Sequence, residues 1–494
     1  MSIPYIKDSW RGGISDENTK GVRGSFKYSY GVDIHKRRDS ISCNWAMSNI
    51  GTSAIVKDVI RFSVNARDGS TYCFGSAGSV YAVAGDPVDP VVSGVYNDEN
   101  GEIRGASEWK LSDGNNYLYW ATATSIARMA LNGSPDTPWA AGVATQDYKT
   151  TLDNYPYHPI KNAGGSLVIG NGNFVATIDY TGAYNNAAMN LRPGNIIKCL
   201  EERDDYVIIG TERGDEAEEG HIWNWVIANT NWSQKRKISV KGINTLIDTE
   251  RLLLQGGIGG EIFYSDFSNV APLNSIPAGG QCNSQVGTYN DLALFGIYGC
   301  SDASQIGIYS YGRRMLNRPF ALNNEFRLTR TAAGSTVSEI GGVWVNSSAV
   351  FASWKTVDGS TLEYGIDMAS GTTRATARIE GLEFTGGSPH LKKKYNSEKV
   401  IFEPLPTGTS LNVIYKPSRQ STGGSSSAGA GWKYAKVADG SGTTYATVDS
   451  TEAEFIINEQ SKIFEIGIEL TPSESYTPEI TAMVGYLGEE QSEH

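Results

Sequence analysis

Apolar and polar residues alternate with a period of two through most of this chain, in short runs closed by glycine or by Asp-Gly. The segment VIRFSVNARDGSTYCFGSAGSVYAVAG (59–85) is followed by ASEWKLSDGNNYLYWATATSIARMALNG (106–133), and the two share one layout. An alternating run leads into Asp68-Gly69 or Asp113-Gly114, then an aromatic-rich run, a turn, and a third run ending at glycine. Such alternation marks a strand with one buried face. Asp-Gly between two of them predicts a hairpin through a type I′ turn, in which positive φ is required.

The rhythm persists downstream without the exact dipeptide, at 160–182, 197–229, 243–267, 286–312 and 340–367. Taking the second strand of each unit as a marker gives Tyr72, Tyr117, Leu167, Tyr206, Leu252, Leu292 and Val350, spaced 45, 50, 39, 46, 40 and 58 residues apart. That is the period of β-propeller blades. A four-stranded blade cannot bury its own faces, so blades stack radially and the ring closes on itself. The expected fold is all-β, with a seven-bladed propeller over 51–370. The strand-like SFKYSYGVDIH (25–35) is the expected closing strand, within an N-terminal arm over 1–50.

From 371 to 494 the pattern changes to a small antiparallel β-sandwich. Its expected strands include EKVIFEPLP (398–406), SLNVIYKP (410–417), WKYAKVA (432–438), AEFIIN (453–458) and IFEIGIEL (463–470). STGGSSSAGAG (421–431) is too rich in glycine and serine to pack and reads as a projecting loop.

Composition agrees with many short strands and tight turns: 56 Gly, 26 Tyr and 11 Trp in 494 residues. A net charge of −12 argues against general nucleic-acid binding, which depends on Lys and Arg neutralising phosphates. Cys43, Cys73, Cys199, Cys282 and Cys300 are scattered, odd in number and free of C-x-x-C spacing, so free thiols and a reducing folding compartment are expected. The start MSIPYIKDSW lacks the pattern of a signal peptide, and no run reaches the length of a membrane span, which leads to the expectation of a cytoplasmic product carried in a particle.

Candidate chemistry is sparse. His35, His158, His221, His390 and His494 fall in separate segments without metal-ligand spacing. GGIGGE (256–261) lies between two strand-like runs and reads as a blade turn. The acidic runs EERDD (201–205), with Glu201, Glu202, Asp204 and Asp205, and GDEAEEG (214–220) offer candidates for the carboxylate pair of a glycoside hydrolase. The 214–220 loop, with Asp215, Glu216, Glu218 and Glu219, carries oxygen ligands suited to Ca²⁺. Both read more simply as solvated blade loops, and the basic clusters at 35–38, 234–237 and 390–394 as solvated edges or contacts to acidic loops of a neighbouring subunit. The expectation is a non-enzyme with no catalytic, cofactor-binding or metal site residues and no cofactor.

The segment 8–47 carries the most specific resemblance. Gly12-Gly13, Gly31-Val32-Asp33-Ile34 and Arg37-Arg38-Asp39-Ser40 resemble the N-terminus of tail propeller proteins of tailed bacteriophages, and 400–418 with 463–486 is similar to the sandwich modules that end them. The resemblance implies a structural virion component of the tail, at the nozzle, a ring or the periphery. It implies other tail proteins and further copies of this chain as partners, with residues 1–24 docking on a neighbour. A host-receptor or glycan-binding tail protein is the alternative, and a propeller hydrolase a more distant one.

Overall fold

A computed structural model describes the chain except residues 1–3, 18–22, 37–38, 85–89, 99–100, 132–151, 215–218, 267, 348, 359–360, 370, 386–390, 418–430 and 489–494. Seven antiparallel sheets follow one another as propeller blades: blade 1 (60–97), blade 2 (105–130), blade 3 (160–190), blade 4 (195–238), blade 5 (243–275), blade 6 (287–326) and blade 7 (337–369). Six hold four strands, and blade 2 holds three among the described residues. All seven sequence markers lie on the second strand of their blade. The first strand of each is innermost, so neighbouring blades meet along the axis of the ring, and blade 7 returns to blade 1.

The repeated hairpin has a chemical cause. In blades 1 and 2 the sequence Asp-Gly-x-x-Tyr (68–72 and 113–117) places the aspartate so that one oxygen accepts the backbone N–H two residues on, 2.9 Å from Ser70 N and from Asn115 N. The other oxygen accepts the tyrosine hydroxyl, at 2.9 Å from Tyr72 and 2.7 Å from Tyr117. These turns are not the two-residue type I′ turns expected. The Gly69 N–H bonds to Ala66 O and the Gly114 N–H to Leu111 O, so positive φ falls on glycine alone, at 89° and 86°. The aspartate side chain supports the wider loop in place of a second left-handed residue.

Ring closure departs from the sequence expectation. The strand that completes blade 7 is Ser48–Gly51, paired with Thr361–Ala369, and not 25–35. The reason is apolar content. Ser48–Gly51 is short and mostly polar, which suits an outer edge. Phe26, Tyr28, Val32 and Ile34 are all nearly inaccessible and need cover on two sides. They find it between blade 6 and the sandwich.

The sandwich is built from both ends of the chain. One sheet runs Lys436–Val437, Glu452–Ser461, Lys393–Phe402, Glu479–Leu487, Ile41–Cys43, Val32–Asp33, with Pro4–Lys7 also on Glu479–Leu487. The other runs Lys433–Tyr434, Ser410–Pro417, Phe464–Thr471, Ala377–Glu380, Tyr28–Tyr30. The stretch expected as one strand at 432–438 therefore crosses from one sheet to the other. Trp10, Ile14 and Phe26 of the arm, Phe295, Tyr309 and Leu322 of blade 6, and Val400, Phe455 and Ile468 of the sandwich form one continuous apolar cluster. The arm thus docks on its own chain. Trp10 retains 1% of its surface and Ile14 3%, and each such burial contributes about 1.5–3 kcal/mol.

Buried polar residues set the register of that docking. The strand Ala321–Phe326 presents the side chains of Asn323 and Glu325 to the arm, and the Asn324 carbonyl accepts from Gly31 N at 3.2 Å. Asn323 donates to Val32 O at 2.7 Å and accepts from Ser29 Oγ at 2.8 Å, while Asn44 donates to Glu325 Oε1 at 2.9 Å. Sliding the arm by one residue would orphan all of these groups at once.

Candidate functional site

Several clefts among the described residues bring polar groups together, and two of them lie on the ring axis and at the seam with the sandwich. The first is the axial mouth of the ring, where the inner strands of six blades, and the loops leading into them, converge on a small cavity of about 70 Å³. Its charges neutralise one another. Arg61 contacts Glu339 at 3.1 Å and also Glu102, Arg104 lies 3.4 Å from Glu102, and Lys198 lies 3.2 Å from Glu212 with its ammonium 4.9 Å from the Tyr157 ring. Asn283 donates to Ile340 O at 2.7 Å. This interlocked set holds inner strands of adjacent blades together, and its small volume leaves little room for a ligand.

The second region is a cleft of about 480 Å³ between blade 6 and the sandwich. On the sandwich side, strands Tyr28–Tyr30, Ala377–Glu380, Ser410–Pro417 and Phe464–Thr471 lie side by side, and the period of two sends Tyr28, Tyr30, Arg378, Glu380, Lys416 and Glu465 toward it. Blade 6 supplies Asp302, Ser304 and Gln305 from a short 3₁₀ turn, and Arg327 follows its last strand. Tyr28 donates to Ser304 O at 2.7 Å, joining the two walls.

Charge in the cleft is layered. Deepest is Arg378, held between Glu380 at 2.7 Å and Glu469 at 2.6 Å with its guanidinium 5.4 Å from the Trp432 ring. Burial raises the Glu380 carboxyl above its ordinary range, against the pull of Arg378. Lys27 pairs with the buried Glu465 at 3.5 Å. Above these, the Arg327 guanidinium lies 4.2 Å from the Tyr30 ring and donates to Thr331 O at 3.0 Å. Arg327 and Lys416 have no ion pair among the described residues. The Nε of Arg327 is buried without a hydrogen-bond partner.

The residues singled out from sequence do not gather here or at any other single place. Glu201 pairs with Lys161 at 2.7 Å and Glu202 accepts from Gly164 N at 3.0 Å, both partners in blade 3, and Asp204 takes a positive φ of 52° at the hairpin, so this acidic run ties the first hairpin of blade 4 to blade 3. Asp215, Glu216 and Glu218 lie outside the described residues, as do His390, His494, Arg37, Arg38 and residues 421–430 of the glycine-serine loop. Glu219 bridges to His221 at 3.1 Å and to Lys237 at 3.0 Å. The basic cluster at 234–237 is thereby engaged within its own blade, with Lys235 4.7 Å from the Trp223 ring.

The three described histidines are structural in their surroundings. His158 is sealed between Gly170 O at 2.9 Å and Ala123 O at 3.0 Å, and burial lowers its pKa. Burial lowers His35 as well and pushes His221 down to about 4. GGIGGE is a blade 5 hairpin. No group of three or more His, Cys, Asp or Glu suited to a metal ion occurs among the described residues. No helix among them is long and apolar enough to cross a membrane. No continuous stretch of sequence marks the cleft, because its residues come from separate segments between Lys27 and Glu465, with Tyr28-x-Tyr30 and Arg378-x-Glu380 as local signals.

The fold is a β-propeller, and comparison with solved structures returns propellers. The extracellular domain of a putative one-component system from B. thetaiotaomicron matches with a TM-score of 0.46 and 15% identity over 76% of this chain, which spans 44% of that domain's length. The RRP9 WD40 repeats match with a TM-score of 0.46 and 11% identity, over 66% of this chain and 99% of theirs. The Doa1 WD40 propeller gives 0.43 and 12%, over 65% and 97%. No protein-family model and no curated protein matches this sequence. Likeness at these identities concerns fold alone.

Proposed function

We propose that this chain is a non-catalytic structural subunit that assembles through protein–protein contacts, as a component of a tailed-bacteriophage tail. The observation that carries the structural role is the interlock at the N-terminus. Within 51 residues the chain supplies strands to both sandwich sheets, fills the seam against blade 6, and then closes blade 7. Two domains clamped in this way behave as one rigid body, which is what a repeated subunit needs if its contacts are to close at a fixed angle. The tail assignment itself comes from the resemblance of residues 8–47 and of the sandwich segments.

Light scattering after size exclusion at rising protein concentration, followed by electron microscopy of any assembly, tests this. A closed ring or a stoichiometric complex with purified tail proteins supports the reading. A monomer that neither self-associates nor binds any other tail protein overturns it.

A second reading, a subunit that holds surface carbohydrate, is favoured by one observation: the inter-domain cleft carries more polar machinery than a packing seam requires. Buried ion pairs contribute little net stability against apolar packing, yet Arg378 and Glu465 are kept in the walls of a space open to solvent.

A further inference from the structure

We propose that the cleft between blade 6 and the sandwich binds a carboxylate-bearing oligosaccharide, with Arg327 and Lys416 receiving the carboxylate and Tyr30, Glu380 and Asp302 the sugar ring and its hydroxyls. This deepens the second reading above. Its volume of about 480 Å³ lies within the range of about 300–1,000 Å³ typical of small-ligand sites.

Three features select the ligand. First, the charge balance is specific. Arg378 and Lys27 are consumed by Glu380, Glu469 and Glu465, whereas Arg327 and Lys416 have no carboxylate partner among the described residues. A ligand carboxylate supplies what is missing, and planar guanidinium groups suit carboxylates.

Second, donors and acceptors are interleaved. Glu380, Asp302, Ser304 and Gln305 offer acceptors beside the Arg and Lys donors. Sugar hydroxyls donate and accept at once, so they satisfy both kinds of group. An acidic peptide of equal charge lacks the hydroxyls that pair with Asp302 and Glu380.

Third, aromatic rings line the space. Tyr30 is partly exposed with Arg327 stacked on it, and Trp432 forms the buried floor beside Arg378. Rigid aromatic rings give a large contact area at low entropic cost.

The test is calorimetric titration of the full-length protein with a galacturonate tetrasaccharide, an oligosialic acid of the same length, a neutral galactose tetrasaccharide and a tetraglutamate peptide. At least one of the two acidic saccharides should bind, more weakly as salt is raised, with the neutral sugar and the peptide binding at least about tenfold more weakly. Lys416→Glu and Arg327→Gln should each weaken binding by about tenfold or more, since each removes a charge-assisted hydrogen bond to the carboxylate, while the exposed blade 2 variant Lys110→Glu should leave it unchanged. Circular dichroism of each variant checks the fold, and Tyr30→Phe, which keeps the ring, should retain most binding where Tyr30→Ala does not. Acidic saccharide binding that is indifferent to the Lys416 and Arg327 variants overturns this cleft while sparing the carbohydrate reading. Equal binding of the neutral sugar overturns carboxylate recognition, a preference for tetraglutamate overturns the saccharide, and silence toward every saccharide overturns both readings.

Discussion

Glu398 offers a sharp test of the sandwich core. It lies on the central strand Lys393–Phe402, is fully inaccessible, and accepts a hydrogen bond from the Tyr395 hydroxyl at one oxygen while the other has no partner. Burial pushes its carboxyl up to about 8, against the lowering effect of Tyr395. At neutral pH the folded protein therefore holds a proton there that the unfolded chain releases. Its contribution is fully present below the ordinary carboxylate range, about pH 4.5, and is lost as pH rises toward 8. The slope approaches about 1.4 kcal/mol per pH unit, so between about pH 5 and about pH 7.5 the loss reaches about 3 kcal/mol. Glu398→Gln keeps the shape without the ionisation. His221, pushed down to about 4, and the other buried histidines, lowered by burial, titrate with the opposite sign, and they are common to both proteins. Urea denaturation followed by tryptophan fluorescence across this range should show the Glu398→Gln variant gaining on wild type by about 3 kcal/mol as pH rises. Parallel stability curves for the two proteins would refute the buried neutral carboxyl.

Other predictions follow from the same packing. A Cβ at Gly485 would collide with the Tyr395 hydroxyl, so Gly485→Ala should displace that ring and lower the melting temperature, as overpacking typically costs about 1–3 kcal/mol. Asp367 accepts from Trp354 Nε1 at 2.8 Å, Thr329 N at 2.6 Å and Asn49 at 3.3 Å, tying the closing strand to blade 7. Asp367→Ala orphans these donors and should destabilise the ring by about 3 kcal/mol or more, with new proteolytic cleavage near residues 48–51. All five cysteines are free, four are buried, and burial pushes the remaining Cys300 thiol up to about 12. Ellman's reagent should therefore react slowly with the native protein at pH 8 and report five thiols once guanidinium is added. Deleting residues 1–24 removes Trp10 and Ile14 from the shared cluster, so it should lower the melting temperature of the isolated chain, which a purely intermolecular arm would leave unchanged.

Local pattern determined a great deal about this protein. Period-two alternation, the Asp-Gly turns and a spacing near that of propeller blades were enough to place seven blades and their second strands, because each blade hairpin is formed by neighbours in sequence and recorded in local chemistry such as the aspartate-to-tyrosine bond of 68–72. What alternation cannot carry is the identity of a strand's partner. Segment 25–35 reads as a strand and 48–51 carries no comparable signal, yet 48–51 closes the ring, because the apolar seam between blade 6 and the sandwich takes up 25–35. The same holds for the cleft. Tyr30, Asp302, Arg327, Glu380 and Lys416 acquire a common purpose only when the arm pairs with the last sandwich sheet and brings it against blade 6, since long-range pairing is dictated by which apolar surfaces remain uncovered after the local hairpins have formed.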